Sequence, residues 1–198
     1  MAIADYGAGN LRSLASALTR AGVEPLVTTD AAVVREAPLA LIAGVGHVES
    51  AAAGLARNGL DDALRLRIED GRPVAGICVG MQLLFEESEE GGVGLGALAG
   101  PVTRIRARHV PHMGWNTLST TRPSATLAGL DGADVYFAHS YAASPADGRV
   151  TTATVDHEGP IVAAIESGPL AGMQFHPERS GAAGALVLEN LVRWSRSA

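Results

Sequence analysis

Cys78 is the only cysteine in the 198-residue chain, and its flanks give it a chemical setting. Gly76-Ile77-Cys78-Val79-Gly80-Met81-Gln82 follows the apolar run Val74 to Ile77 and precedes a helix-like stretch, Met81 to Phe85. A sharp strand-to-helix turn of this kind is a nucleophile elbow. Its glycines are needed because Cβ atoms there would collide with neighbouring backbone. Unpaired N–H groups at the start of the helix would stabilise a thiolate. Without those flanks, a lone cysteine reads as a small buried hydrophobe. His176-Pro177-Glu178 offers the base, at the end of a second apolar run, Leu170 to Gln174. Pro177 biases His176 to an extended conformation, and residues two apart on an extended segment share a side, so Glu178 can orient the imidazole. His-Pro-Glu alone reads equally well as a turn; with the elbow it predicts a Cys78–His176–Glu178 triad. Gly44-Val45-Gly46 follows a third apolar run; alone it reads as a turn, but beside the elbow the backbone N–H groups of Val45, Gly46 and Val79 could form an oxyanion hole.

Two other patterns carry less. Gly7-Ala8-Gly9 lies between a strand and a helix, but the third glycine of a dinucleotide fingerprint would fall at Arg12. His109 and His112 flank Pro111, which disfavours a regular helix, and no acidic or thiol ligands cluster nearby. Neither a metal nor a cofactor is expected.

The triad residues lie about a hundred positions apart, so a fold must bring two strand ends together. Ile3 to Asp5, Pro25 to Thr28, Leu39 to Ala43 and Val74 to Ile77 read as strands, the last two as continuous apolar runs of a buried parallel sheet. Asn10 caps a helix with apolar positions Leu11, Leu14, Ala15 and Leu18, ended by Gly22; a second helix covers Asp61 to Glu69, with Gly71 beyond it. This alternation predicts an α/β fold, an open, mostly parallel sheet flanked by helices, with functional residues at the carboxyl ends of the strands. The second half reads as added antiparallel strands, Val102 to Arg106, Asp134 to Ala138, Arg149 to Val155, Ile161 to Ile165 and Leu170 to Gln174. A final helix lies near Ala185 to Trp194. Glu86 to Gly96, acidic and then glycine-rich, reads as a solvated surface connection.

Composition agrees. At 47% hydrophobic and 4% aromatic, the chain can build one domain, residues 1–198, with a core of Ala, Val, Leu and Ile. A formal net charge of −6 argues against nucleic acid as a partner. All fifteen cations are Arg, which excludes Schiff-base lysine chemistry and the Walker lysine. Apolar runs are too short to span a membrane and no signal peptide is evident, so a soluble, cytoplasmic protein is expected. A single cysteine suits a reducing compartment.

Gly76 to Gln82 and His176 to Glu178 resemble the motifs of triad-type glutamine amidotransferases. Asp5-Tyr6-Gly7-Ala8-Gly9-Asn10, Pro111-His112-Met113-Gly114-Trp115-Asn116 and Tyr136-Phe137-Ala138-His139-Ser140-Tyr141 resemble one subfamily, the glutaminase subunit of imidazole glycerol phosphate synthase in histidine biosynthesis. The resemblance covers essentially the whole chain. It implies Cys78 as nucleophile, His176 as base and then acid, Glu178 as its orienting partner, and Gln82, Ser140 and Tyr141 around the substrate glutamine. It also implies a (β/α)8-barrel synthase as partner, faced by Asn10, Met113, Trp115, Asn116 and Arg179. Without the resemblance, Met113 and Trp115 read as ordinary core. The chain departs from the family pattern at Ala43, where a proline is common before the oxyanion loop, at Arg179, where Lys is common, and in a slightly short first strand. Three alternatives remain at this point. A glutaminase serving pyridoxal phosphate synthesis fits Pro111 to Asn116 poorly, a regulatory binding protein would show no Cys78 labelling by a glutamine analogue, and a stand-alone cysteine hydrolase would transfer no glutamine nitrogen.

Overall fold

The apolar runs place the strands that carry the site, and glycines set how closely they approach. A computed structural model describes residues 1–7 and 9–197; Ala8, within the Asp5–Asn10 motif, lies outside the described residues. The first half alternates strand and helix: β1 (Ala2–Ala4), α1 (Leu11–Arg20), β2 (Leu26–Thr28), α2 (Ala31–Glu36), β3 (Ala40–Gly44), α3 (Val48–Arg57), α4 (Leu60–Glu69) and β4 (Val74–Cys78). There follow α5 (Val79–Gln82), β5 (Phe85–Ser88), β6 (Leu98–Arg104), β7 (His112–Thr117), β8 (Ser119–Thr120), β9 (Asp134–His139) and β10 (Tyr141–Ala143). The chain closes with β11 (Thr151–Asp156), β12 (Pro160–Ser167), β13 (Leu170–Met173) and α6 (Gly181–Trp194).

Eight strands form the main sheet in the order β2-β1-β3-β4-β13-β12-β11-β8. The first five are parallel neighbours and the last three join antiparallel, which gives the mostly parallel sheet with antiparallel additions that the sequence predicts. Every residue of β3, β4 and β13 is buried, which explains their uninterrupted apolar character. Helix α1 packs against α6, while α2 and α3 pack against α4. Two smaller sheets, β10-β6-β5 and β7-β9, sit beside the main one.

One strand of the second half departs from the antiparallel expectation: β13 runs parallel to β4, with Met173 opposite Ile77. That pairing carries the chain after Met173 to the carboxyl end of β4, beside Cys78. Other readings need correction. The helix expected over Met81 to Phe85 is the single turn Val79–Gln82, and Phe85 already begins β5. Glu86 to Gly96 is partly ordered as β5, parallel to β6, and Glu90 is tied to the loop after β3: its carboxylate meets His47 Nδ1 at 2.7 Å and accepts from Val48 N–H at 3.1 Å. Helices α2 and α3 and strands β7, β8 and β10 lie outside the sequence reading; α2 and the strands are short, and the buried stripe of α3, Val48, Ala51, Gly54 and Leu55, is half built from Ala and Gly.

Candidate active site

Cys78 ends β4 with φ 54° and ψ −113°, a conformation that a residue bearing a Cβ rarely adopts. The turn is possible because its flanks lack side chains. A Cβ at Gly76 would lie 2.3 Å from the Gly80 carbonyl oxygen, and one at Gly80 would lie 1.8 Å from that of Ile42. The sulfur is therefore lifted to the sheet edge at the head of α5. That helix is one turn long, so local N–H groups rather than a long macrodipole act there.

His176 arrives from β13. Its N–H donates to Tyr136 O at 2.8 Å, and its carbonyl accepts from Ser180 Oγ at 2.6 Å, which fixes the backbone from both sides. The residue is extended (φ −101°, ψ 99°), as Pro177 requires. Glu178 reaches it through a 3-10 turn, Pro177–Arg179, and not along an extended run; Nδ1 and Glu178 Oε1 are 3.0 Å apart. Both side chains are nearly buried. Nε2 is buried and, among the described residues, has no partner at full hydrogen-bond geometry, so its approach to Cys78 is loose, an arrangement common before substrate tightens a site. Burial is the largest single influence on this imidazole and acts to lower its pKa, but the facing Cys78 and then Glu178, through hydrogen bonding and charge, together outweigh it, raising it to about 10.

Gly44 is the register partner of Cys78 across β3 and β4, so the loop after β3 passes the sulfur. Val45, Gly46, Val79, Gln82, Ser140 and Tyr141 line one cleft of about 230 Å³ with Cys78. The oxyanion and glutamine-binding candidates are thus brought together. The Gln82 NH2 group donates to Tyr141 O at 2.8 Å and to Gln174 Oε1 at 3.0 Å, and neither bond uses its Oε1. Behind the sulfur, the fully buried Gln174 donates Nε2–H to Cys78 Sγ at 3.6 Å. Sequence reasoning missed Gln174, although its position two residues before His176 placed it at the same strand end. It also missed Tyr6, whose buried hydroxyl abuts Gly44 and has no partner among the described residues; burial, then the charge interaction with Cys78, raises its pKa.

The interface candidates divide. Met113 and Trp115 are 64% and 57% exposed, too open for the core positions their types suggest. Trp115 meets Tyr136 edge-on with centroids 6.1 Å apart, and the Arg179 guanidinium lies 3.9 Å above the Tyr136 ring, so these residues share one surface. Met113 also lines the mouth of the cleft. Asn10 caps α1, accepting from Ser13 N–H at 3.4 Å, and borders the small pocket holding His176 and Glu178. Asn116 stands apart. It alternates with Trp115 on β7, and its NH2 group is used by His112 Nε2 at 3.1 Å and Asp156 O at 2.9 Å. His109 pairs with Glu158 across a surface turn, and no cluster able to hold a metal occurs among the described residues. Nor, among those residues, is any helix long and apolar enough to cross a membrane.

The sequence profile described as Glutamine amidotransferase class-I matches residues 2–193. Imidazole glycerol phosphate synthase subunit HisH from Mycolicibacterium paratuberculosis is 46% identical over 197 residues, covering 96% of this chain and 95% of that protein. The subunit of the same name from Moorella thermoacetica is 44% identical, covering 100% and 96%. Among solved structures, one described as a glutamine amidotransferase superposes with a TM-score of 0.79 at 19% identity, covering 98% of each chain. PurLQS from Thermotoga maritima gives 0.74 at 18%, covering 98% and 97%. The structural likenesses establish the shared fold, and the sequence matches go further: the chain belongs to the class-I glutamine amidotransferases and, within them, to the HisH subunits of imidazole glycerol phosphate synthase.

Proposed function

We propose that the chain acts as a single glutamine amidotransferase domain, residues 1–198, that hydrolyses glutamine at Cys78 and passes the ammonia to a (β/α)8-barrel synthase subunit. The observation that carries this reading is the convergence, at one sheet edge, of Cys78 on its left-handed turn with the buried His176–Glu178 pair. The Cys78 sulfur attacks the side-chain carbonyl carbon of glutamine, and amides of Val45, Gly46 and Val79 hold the resulting oxyanion. His176, protonated at neutral pH, gives its proton to the departing nitrogen, which leaves as ammonia. The neutral imidazole then takes a proton from water as it attacks the γ-glutamyl thioester, and sulfur departs to release glutamate. Gln82 Oε1 and the Ser140–Tyr141 segment hold the substrate. Met113, Trp115, Arg179 and Asn10 face the barrel, and the barrel uses the ammonia to form imidazole glycerol phosphate and aminoimidazole carboxamide ribonucleotide. Direct transfer keeps the ammonia from being protonated in water. The partner also turns the Gly44–Gly46 loop, which Ala43 leaves without a fixed φ, toward its oxyanion-binding geometry.

An electrophilic glutamine analogue is expected to form an adduct on Cys78, located by mass spectrometry, and faster with the barrel subunit present. No adduct on Cys78 under either condition would replace this reading with a regulatory binding protein. The charge state of His176 gives a second test. Its raised pKa predicts that kcat/KM for glutamine holds from pH 7 into the alkaline range and falls as the imidazolium proton is lost. Glu178→Gln removes one of the charges that retains that proton, so the alkaline limb should move to lower pH and kcat should drop roughly 10²-fold or more. An unmoved limb would remove Glu178 from the triad.

A further inference from the structure

The Tyr141 carbonyl fixes the orientation of a hydrogen-bond network that runs from behind the Cys78 sulfur to strand β7. A carbonyl oxygen only accepts, and this one takes Gln82 Nε2–H and His139 Nδ1–H, each at 2.8 Å. Gln82 must therefore present its NH2 group, which also reaches Gln174 Oε1 at 3.0 Å, so that Gln174 turns its own NH2 toward Cys78. On the other side, His139 carries its hydrogen on Nδ1. Its bare Nε2 then accepts from His112 Nδ1–H at 2.9 Å, and the bare His112 Nε2 accepts from Asn116. A proton on either ring would set two donors against each other. Burial, the largest influence on both, lowers His112 to about 4 and His139 to about 3, so both rings are neutral near pH 7.

The His139 bond spans a structural joint. Strand β9 belongs to the sheet with β7, whereas β10, only two residues on, belongs to the sheet with β6 and β5. Ser140 lies between them and Tyr141 opens β10; both wall the cleft beside Cys78. The side-chain bond from His139 to Tyr141 O closes that crossing over two residues, and the same oxygen anchors the Gln82–Gln174 pair. We infer that His139 is a positioning residue for the glutamine reaction. It holds the Tyr141 carbonyl so that the cleft wall fits substrate and Gln174 stays on the sulfur, with His112 locking the tautomer that this requires. The inference rests on Cys78 being the nucleophile.

Two amide substitutions separate the roles of the two ring nitrogens. In His139→Asn, the amide lies where Nδ1 was and keeps the bond to Tyr141 O while losing His112. In His139→Gln, the amide lies where Nε2 was and keeps His112 while losing Tyr141 O. The full-length chain is treated with the electrophilic glutamine analogue, and half-saturation is read. The pH profile of Cys78 alkylation by iodoacetamide is read separately. His139→Gln is expected to need about tenfold more analogue and to shift the alkylation profile to higher pH, as loss of a hydrogen bond supporting a charged group would do. His139→Asn should stay within about twofold of wild type in both. Equal behaviour of the two variants, or an unmoved profile in His139→Gln, overturns the proposal, because a merely structural histidine would respond in thermal unfolding and not in this pattern. Absence of a Cys78 adduct in the wild type would instead refute the nucleophile reading beneath it.

Discussion

Cys78→Ala is expected to lower glutamine hydrolysis by at least about 10⁴-fold, while the complex with the proposed barrel subunit still makes product from added ammonium salt. The size of the loss follows from the chemistry. Without sulfur no thioester forms, and His176 and the oxyanion donors are left to assist water alone. The retained ammonium-driven reaction follows from the structure. Alanine keeps the Cβ, so the left-handed backbone at φ 54° is no more strained than before, and one buried sulfur atom is a small loss of packing. Thermal unfolding of the variant should stay within a few degrees of wild type. Glutamine turnover that survives the substitution would remove Cys78 from the mechanism. Loss of the ammonium reaction together with glutamine turnover would instead make Cys78 a structural residue of the interface.

Features confined to a few consecutive residues were legible in the sequence. The elbow is visible because its geometry forbids Cβ atoms at Gly76 and Gly80, and the buried strands β3, β4 and β13 because burial on both faces leaves uninterrupted apolar runs. That two strand ends must meet to unite Cys78 with His176 was also legible, but the parallel pairing of β4 with β13 that achieves it was not, because β13 sits among antiparallel strands in the sequence. Contacts between distant polar residues were not legible. Gln82 and Gln174 are 92 positions apart, and nothing in either local pattern announces that one amide orients the other against the sulfur. Strand β7 was read only as a motif, because Gly114 and Asn116 interrupt any apolar alternation. Its strand character, and with it the turning of Asn116 away from Trp115, comes from pairing with β9. The Glu86 to Gly96 segment lies largely at the surface, as its acidic run suggests, but nothing in that run announces its pairing as β5 or that Glu90 is drawn inward by His47 and the Val48 N–H.

Arg67→Met is expected to destabilise the fold by about 4 kcal/mol, lowering the unfolding midpoint by about 10 °C, without changing the reactivity of the molecules that remain folded. Arg67 is fully buried, and its guanidinium donates to the carbonyls of Val34, Arg35, Ala37, Pro38 and Pro73 at 2.6 to 3.3 Å. These carbonyls lie in the last turn of α2 and in the segments leading into β3 and β4, so one guanidinium ties three chain segments together. Burial is the main influence lowering this guanidinium, to about 10, followed by the positive Arg72, so it remains charged at neutral pH. Methionine matches the stem but removes the shared donor from the Val34, Arg35, Ala37 and Pro38 carbonyls, while Pro73 O keeps the Ala40 N–H at 3.2 Å. Lysine, with three donors on one point, should recover only part of the loss, since no single ammonium position reaches what a planar fork reaches. The site sits at the opposite ends of the same strands, about 17 Å away for a five-residue strand. Labelling of Cys78 per folded molecule should therefore match wild type. A midpoint within 2 °C of wild type would show that the carbonyls find other partners, and a change in Cys78 labelling would show that the strand bases and the elbow move together.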